Sequence, residues 1–317
     1  MNSPTPSQSG TDRRAFLALC AAAAGASLAS RATLGAGQPS AGGVASAPPA
    51  EDVAKPKPGL KGRVKHSVAA WPISGVEMAP LCRLCTSLGI SSVELVGLEW
   101  WPTLKEHGLT CAVAVGPTKI TRGPANPDNH EWLHKRLGEM LPRTADAGCP
   151  AMVIYSGTNS GRSDAEGLTH CVEALKRAAP LAEKSGVTLL LAVKNSKVDH
   201  PDYLARFLAQ GVEVVKRVGS PRVKVLCNIY DMQVMEGDII RSITANIDHI
   251  GHFQVAGVPG RHEIHQGQEL NYRAIVTAIM DAKTSDDRRY EGYLGYEFQP
   301  TTNASEAFKR AIEICDV

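Results

Sequence analysis

Residues 186–196 have the sequence GVTLLLAVKNS, in which a glycine precedes a run of aliphatic and β-branched residues and a polar segment follows it. So short an apolar run is typical of a buried strand. The longer segments on either side, 164–185 and 200–218, instead place apolar residues at helical spacing. Gly186 suits the left-handed backbone with which many helices end. The stretch therefore predicts a helix–strand–helix unit of an α/β fold.

The same alternation repeats along the chain from Gly62 onward. Strands are predicted at 64–70, 91–96, 109–115, 151–156, 187–193, 222–229, 251–256 and 292–297. Helices are predicted at 77–88, 100–107, 129–147, 164–185, 200–218, 235–248, 270–283 and 303–315. Alternation of this kind predicts a parallel sheet, and eight units in about 250 residues are what a closed (β/α)8 TIM barrel needs.

A doubly wound open sheet is the alternative α/β architecture. It would require a glycine-rich phosphate loop after the first strand. Residues 71–75 read Trp-Pro-Ile-Ser-Gly, which is not such a loop. The sequence therefore favours a single barrel domain over residues 62–317.

The first sixty residues have a different composition from the rest of the chain. Arg13 and Arg14 precede an apolar, alanine-rich run at 17–29, which over residues 1–30 predicts a twin-arginine export signal and a periplasmic or extracytoplasmic location. An uncleaved membrane anchor is the alternative. The run is short and alanine-rich for a spanning helix, so we expect no stable membrane insertion. Residues 31–61 are dominated by Gly, Ala, Ser and Pro and predict a disordered linker.

The overall composition limits the classes of partner. The chain has 317 residues, of which 43% are hydrophobic and 21% charged, with a formal net charge of only +2. This balance predicts a sizeable core and a small-molecule substrate, and no nucleic-acid partner. Cys82 and Cys85 form a C-x-x-C pair within an apolar helical pattern, which favours a buried helix face over a redox or metal site.

Polar residues follow most of the predicted strands. In a parallel barrel the carboxyl ends of the strands meet at one mouth, and a charged residue entering it is costly unless it is paired or bound. The candidate residues at these positions are Trp71, Glu94, Lys194, Asn228, Asp231, Gln254, Arg261 and Glu297. Together they predict a functional site at this mouth. His252 is interpreted as a satisfied interior histidine.

Several of these segments resemble the hydroxypyruvate-isomerase group of the xylose isomerase-like barrels. The resemblance runs from about Val64 to the C-terminus and rests on five segments together. These are Glu94–Gly97, Asn195–His200, Met232–Asp238, Pro259–Glu263 and Glu297–Pro300. It implies a TIM barrel that moves a proton between neighbouring carbons of a sugar or hydroxy-keto acid through an enediolate. It also implies a divalent metal, Mg²⁺ or Mn²⁺, and leaves a homo-oligomer open.

The resemblance implies two catalytic glutamates that also bind the metal, and three of the implied positions differ here. Glu297 matches the glutamate of the last strand, Gln254 a metal ligand, and Arg261 a substrate-binding arginine. The glutamate of the fifth strand is replaced by Ala192. The aspartate of the sixth strand is Asn228, and the histidine that follows it is Asp231.

These changes weaken the expected metal site, because hard divalent cations prefer anionic oxygen ligands. Glu297, Gln254 and Asn228 remain as metal candidates, but Ala192 offers only a methyl group. Lys194 lies two residues beyond Ala192, so an extended strand points both side chains the same way. The Lys194 ammonium could therefore replace the missing metal electrostatically, act as a base or form a Schiff base, or else lie in solvent.

Two functions remain open. The first is an isomerase or epimerase of sugars or hydroxy-keto acids, with Glu297 and Lys194 as catalytic candidates. Arg261, Asp231, Glu94 and Trp71 are then the substrate-binding candidates. The alternative for Glu94 is a structural ion pair at the barrel rim, and the alternative for Trp71 is a core position. The second is a barrel that binds a sugar or keto acid without catalysis, as the combined changes at Ala192, Asn228 and Asp231 suggest. A nuclease of the same fold is disfavoured, because it would need several metal-binding His and acidic residues and a basic groove.

Overall fold

A computed structural model describes residues 60–73 and 77–317 and confirms the predicted TIM barrel. Its strands are β1 (Lys65–Ala69), β2 (Ser92–Glu94), β3 (Ala151–Tyr155), β4 (Thr188–Val193), β5 (Val223–Asn228), β6 (Ile250–Val255) and β7 (Tyr293–Tyr296). Their order in the sheet is β2-β1-β7-β6-β5-β4-β3, and every pair is parallel. The predicted export signal and nearly all of the linker lie outside the described residues.

The segment predicted as the third strand, 109–115, closes the barrel without forming a regular strand. Leu95 N donates to Val113 O at 2.8 Å on one side, and Ala114 N donates to Ala151 O at 2.8 Å on the other. Just before these contacts Ala112 N donates to Ser92 Oγ at 2.8 Å instead of to a main-chain carbonyl. This side-chain acceptor interrupts the ladder, so the segment bridges β2 and β3 only at isolated residues.

Nine α-helices are found in the described part of the chain. They are α1 (Met78–Leu88), α2 (Trp101–Glu106), α3 (His130–Asp146), α4 (Asp164–Ser185), α5 (Leu208–Val218), α6 (Ile229–Met235), α7 (Ile239–Ala245), α8 (Tyr272–Asp281) and α9 (Ala304–Cys315). Gly186 ends α4 with φ of 72°, as its left-handed position requires. None of these helices combines the length and apolarity needed to cross a membrane.

Two helix predictions were wrong in their bounds. The predicted helix at 200–218 begins only at Leu208, because the preceding loop is held at the barrel mouth. There Lys194 N donates to Ala205 O at 3.1 Å, and Tyr203 Oη donates to Ala192 O at 2.8 Å. The predicted helix at 235–248 is shortened to α7, because the left-handed residues Gly237 and Asp238 separate it from α6, which ends at Met235.

Side chains of the strands alternate between the barrel interior and the helices. On β4, Leu190 and Ala192 point inward, while Leu191 and Val193 pack outward against the helical layer. The inward side chains form an apolar layer of small and medium residues, namely Ala112, Val113, Ala151, Val153, Leu190, Ala192 and Leu226. This layer fills the barrel below the mouth, so the polar residues beyond it are held in fixed positions.

Cys82 and Cys85 lie on the buried face of α1, as the helical pattern predicts. Burial raises the pKa of the Cys82 thiol to about 11 and also raises that of Cys85. Both side chains are free thiols within the core. They act as small apolar residues and not as a redox pair.

Candidate active site

A cavity of about 390 Å³ opens at the carboxyl ends of the strands. Its volume falls within the range of about 300–1,000 Å³ that is usual for small-molecule sites. It is lined by Trp71, Ile120, Tyr155, Lys194, Asp199, His200, Gly260, Arg261, Glu297 and Gln299. Four of the sequence candidates therefore face it, namely Trp71, Lys194, Arg261 and Glu297.

Lys194 does not lie in solvent, since only 4% of it is exposed. Its side chain follows that of Ala192 into the barrel, and Nζ lies 3.1 Å from Glu297 Oε2 and 3.3 Å from Asp231 Oδ2. Burial alone would lower the pKa of Lys194, but the two carboxylates outweigh it and the pKa is raised. The group is therefore held as an ammonium ion.

Arg261 forms the second cation of the site. It follows β6 on a loop and adopts a left-handed backbone with φ of 58°. One guanidinium nitrogen donates to Glu297 Oε2 at 2.7 Å, and the other donates to Asp231 Oδ1 at 2.7 Å and to Asp199 Oδ2 at 3.0 Å. The guanidinium carbon also lies 4.1 Å from the centre of the Tyr230 ring. Arg261 is thus fixed by three carboxylates and one aromatic face.

Glu297 is the carboxylate on which these contacts converge. Besides Lys194 and Arg261, Trp71 Nε1 donates to its Oε1 at 2.8 Å, and Asn228 Nδ2 donates to its Oε2. Its main-chain N–H donates to Val255 O at 3.0 Å, which fixes the backbone against β6. Four side chains therefore orient one buried carboxylate at the edge of the cavity.

Asp231 lies behind this carboxylate and does not line the cavity. It is fully buried, and its Oδ1 accepts from the main-chain and side-chain amides of Asn195 at 3.2 and 2.5 Å. Oδ2 receives no well-aligned hydrogen bond from the described residues. Its interaction with the Lys194 ammonium is therefore an ion pair without a hydrogen bond. Burial would raise the pKa of Asp231, but Lys194 and Arg261 lower it. We call Lys194, Asp231, Arg261 and Glu297 the mouth cluster.

Glu94 lies deeper in the barrel, away from the cavity, so the structure does not place it where a substrate contact was expected. Its Oε1 accepts from Gln254 Nε2 at 2.8 Å and lies 3.1 Å from His252 Nε2. Burial would raise the pKa of Glu94, but His252 and the neighbouring hydrogen bonds lower it. We call Glu94, His252 and Gln254 the inner cluster. Asn228 Nδ2 joins it to the mouth cluster, lying 3.3 Å from Gln254 Oε1.

The residues present do not fit the divalent metal that the resemblance implies. Ala192 packs in the apolar layer, and the amide nitrogens of Asn228 and Gln254 are turned toward carboxylates. The Lys194 ammonium also lies against Glu297, where a second cation would be repelled. In the described ranges, three or more His, Cys, Asp or Glu side chains nowhere converge as metal ligands. We therefore derive no step that uses a metal.

A larger cavity, of about 790 Å³, lies at the opposite end of the barrel. Its walls come from the amino ends of the strands and include Lys65, Thr188 and Lys224. We place the active site at the smaller cavity, because a buried carboxylate and two buried cations face that one. Size alone does not provide groups that can move a proton.

Five polar residues at or beside the cavity were not selected from the sequence as site residues. They are Tyr155, Asn195, Asp199, His200 and Gln299. Asn195 and Asp199 lie in a segment on which the resemblance rests, and Tyr155 is the last residue of β3. Their position after a strand was thus an available signal, but their partners were not. Burial and the Lys194 charge lower the pKa of His200, so its ring is neutral near pH 7.

Comparison with known proteins supports this assignment of the fold. The sequence model of a protein family, the xylose isomerase-like TIM barrel, matches residues 68–315. The chain belongs to this family. The matched region includes every residue of the mouth and inner clusters.

Two sequence relatives and one solved structure illustrate the likeness. A 2-oxo-tetronate isomerase of Cupriavidus necator is 36% identical over 134 residues, which cover 42% of this chain and 48% of that protein. The chain thus spans about half the length of that relative. A putative hydroxypyruvate isomerase of Homo sapiens is 28% identical over 249 residues, which cover 73% of this chain and 88% of that protein. The crystal structure of an AP endonuclease, family 2, from Brucella melitensis superposes with a TM-score of 0.69 at 24% identity. The match covers 77% of this chain and 97% of that one and shows the shared fold.

Proposed function

We propose that this protein is an isomerase that moves a proton between neighbouring carbons of a small hydroxy-carbonyl compound, a sugar or a hydroxy-keto acid. One observation carries the proposal. A buried carboxylate, Glu297, borders the cavity with a buried ammonium 3.1 Å away. The names of the two sequence relatives support the same class of reaction.

In this proposal Glu297 is the base. It takes the proton from the carbon next to the substrate carbonyl, and the electron pair moves to the carbonyl oxygen to give an enediolate. Lys194 donates a proton to that oxygen and regains one from the neighbouring hydroxyl group. The proton on Glu297 exchanges with solvent while the enediolate persists, and Glu297 then returns a proton to the other carbon. No proton is gained or lost overall, and Arg261 stabilises the negative charge of the intermediate.

The ammonium state of Lys194 supports one of the roles considered for it. A Schiff base or a general base requires a neutral amine. The raised pKa, caused by Glu297 and Asp231, keeps the proton on Nζ instead. We therefore propose that Lys194 acts as an acid and as a positive charge, in place of the metal, and not as a nucleophile.

Deuterium exchange tests this proposal directly. Incubation with a ketose or with hydroxypyruvate in D₂O should place deuterium on the carbon next to the carbonyl. Glu297→Gln should slow this exchange by about 10²–10⁴-fold, the usual contribution of a positioned base. Glu99→Gln, at an exposed glutamate outside the cavity, is the matched control and should leave the exchange unchanged. Exchange that persists in Glu297→Gln would remove this residue from the mechanism.

A second candidate, a binding protein without catalysis, is favoured by one specific observation. Glu297 already accepts hydrogen bonds from four side chains, which is about as many as a carboxylate can hold. It must give up one of them to accept a proton from carbon. Thermal protection by a sugar or keto acid, with no deuterium exchange in the wild-type protein, would select this candidate over the isomerase.

The location of the activity is a separate proposal that rests on Arg13 and Arg14. We propose export by the twin-arginine route. Lysine at both positions should leave the protein in the cytoplasm, as cell fractionation would measure. Unchanged export of the doubly substituted chain would refute the proposed route.

A further inference from the structure

The charges around the cavity are unequal. Two cations, Lys194 and Arg261, meet three carboxylates, those of Glu297, Asp231 and Asp199. Two positive and three negative side chains give this group of five a formal net charge of −1. An anionic ligand entering this cavity therefore meets net repulsion at short range.

Both cations are also already engaged with protein carboxylates. Lys194 Nζ lies within 3.3 Å of both Glu297 oxygens and of Asp231 Oδ2. The two terminal nitrogens of Arg261 donate to Glu297, Asp231 and Asp199, and its face lies over Tyr230. A substrate carboxylate or phosphate could bind only by displacing one of these partners and leaving a carboxylate unpaired.

The remaining walls of the cavity suit hydroxyl groups. Tyr155, Gln299 and the neutral imidazole of His200 are uncharged hydrogen-bonding groups on the lining. Trp71 borders the same cavity and is 43% exposed, although its Nε1 is fixed by a 2.8 Å hydrogen bond to Glu297. An indole held by its N–H and left open to the cavity offers a rigid apolar surface for the C–H face of a sugar ring.

We propose that the site takes an uncharged carbohydrate, a ketose or aldose, and discriminates against sugar acids, keto acids and sugar phosphates. The relatives reported above are named for hydroxypyruvate and 2-oxo-tetronate, which are both carboxylates, so this is a departure from them. The inference rests on the proposed function in placing the substrate at this cavity, but it concerns binding and does not require turnover.

Ligand pairs matched in carbon number test the inference. Isothermal titration of the full chain with erythrulose against 2-oxo-tetronate, and with fructose against 2-ketogluconate, compares the uncharged compound with the acid. We expect the uncharged member of each pair to bind at least about tenfold more tightly. A tenfold difference in affinity is about what the loss of one hydrogen bond to a charged group costs. Tighter binding of either acid, or no binding of any of the four, overturns the inference.

Asp199→Asn sharpens the test, because Asp199 is the half-exposed partner of Arg261. It removes one negative charge from the cavity and one of the two carboxylates bound to the same Arg261 nitrogen, which keeps its contact with Asp231. The affinity for 2-oxo-tetronate should rise about tenfold, with little change for erythrulose. Asp202→Asn, the same change at an exposed left-handed position on the same loop, is the matched control. Equal acid affinity in the two variants would also overturn the inference.

The outcomes separate this inference from the proposed function. Sugar binding without deuterium exchange refutes the isomerase and supports the choice of ligand. Deuterium exchange with keto acids in preference to sugars supports the isomerase and refutes the choice of ligand.

Discussion

Glu297 and Glu94 are two glutamates inside one barrel, and each is almost completely buried. Glu297, in the mouth cluster, is balanced by two full cations and borders a cavity. Glu94, in the inner cluster, is balanced by one histidine and one amide and lies below that cavity. The same side chain therefore has two environments, and only one leaves room for a ligand.

The space around each glutamate explains the difference. A Cβ placed on Gly295 would lie 2.4 Å from Glu94 Oε1, so the inner cluster is closed by the backbone of β7. The mouth cluster is open on the side of Trp71. Lys194 and Arg261 balance the charge of Glu297, which faces the cavity. The enclosed Glu94 contacts Gln254, and Gln254 contacts Asn228, which donates to Glu297 Oε2 and helps to orient it. We infer that the inner cluster positions Glu297 and takes no part in the chemistry.

The largest expected effect comes from removing the buried ammonium. Lys194→Met leaves Glu297 and Asp231 with Arg261 as their remaining cation, and breaking a buried pair typically costs about 3–5 kcal/mol. Thermal or urea unfolding would measure the loss, with Lys105→Met, at an exposed lysine of α2, as the control. A loss no larger than that of the control would mean that the mouth cluster is not held by charge. Adding Asp231→Asn should recover part of the loss, because it removes the carboxylate left in excess.

Metal binding should respond to the same ammonium. Ala192→Glu with Asn228→Asp returns two carboxylates to the mouth, but Lys194 still lies against Glu297. We expect Mn²⁺ affinity to rise at least about a hundredfold, near 2.7 kcal/mol, only when Lys194→Met is added. Titration of the double and triple variants, with Lys194→Met alone as the control, measures this. Equal affinity in the double and triple variants would show that the ammonium does not occupy the cation position.

Packing around the inner cluster should have a smaller effect. Gly295→Ala forces Glu94 to move and should destabilise the fold by about 1–3 kcal/mol. Gly138→Ala is the opposite control, because nothing lies within 4 Å of the added Cβ on α3. It should stabilise the helix by roughly 0.5–1 kcal/mol. Equal effects of the two substitutions would mean that β7 does not enclose Glu94.

The smallest effect should be a change in the acid limb of the stability curve. The folded-state pKa of Glu94 is lowered, so its contribution is present above the pKa of the unfolded chain. This contribution to the free energy of unfolding is lost as the pH falls from about 4.5, the ordinary pKa of a glutamate, through the lower pKa of Glu94 in the folded protein. Glu94→Gln removes this component, so the free energy of unfolding should fall less steeply with acid than in the wild type. Identical slopes below pH 4.5 would contradict this assignment.

The sequence predicted the barrel well because the fold depends on local patterns. Every predicted strand is present in the barrel, and only 109–115 is irregular, because Ser92 Oγ replaces a main-chain acceptor. The helix at 200–218 failed for a similar reason. Its first residues make contacts with β4 that no local pattern reports.

The site was predicted in part. Period-two alternation on β4 was enough to point Lys194 and Ala192 the same way, and position after a strand was enough to select Glu297 and Arg261. The same evidence could not separate Glu94 from Glu297, since both lie at the carboxyl end of a strand. Nor did it indicate that Asp231 would hold two cations behind the cavity.

The sequence by itself therefore determined the barrel and the direction of its strand-end side chains. The tertiary structure alone decided the charge balance of the mouth. Lys194 and Glu297 are 103 residues apart and meet because the sheet closes with a particular register. Since Coulomb energy depends on distance and burial, the state of Lys194 was settled only when the fold brought both carboxylates to it.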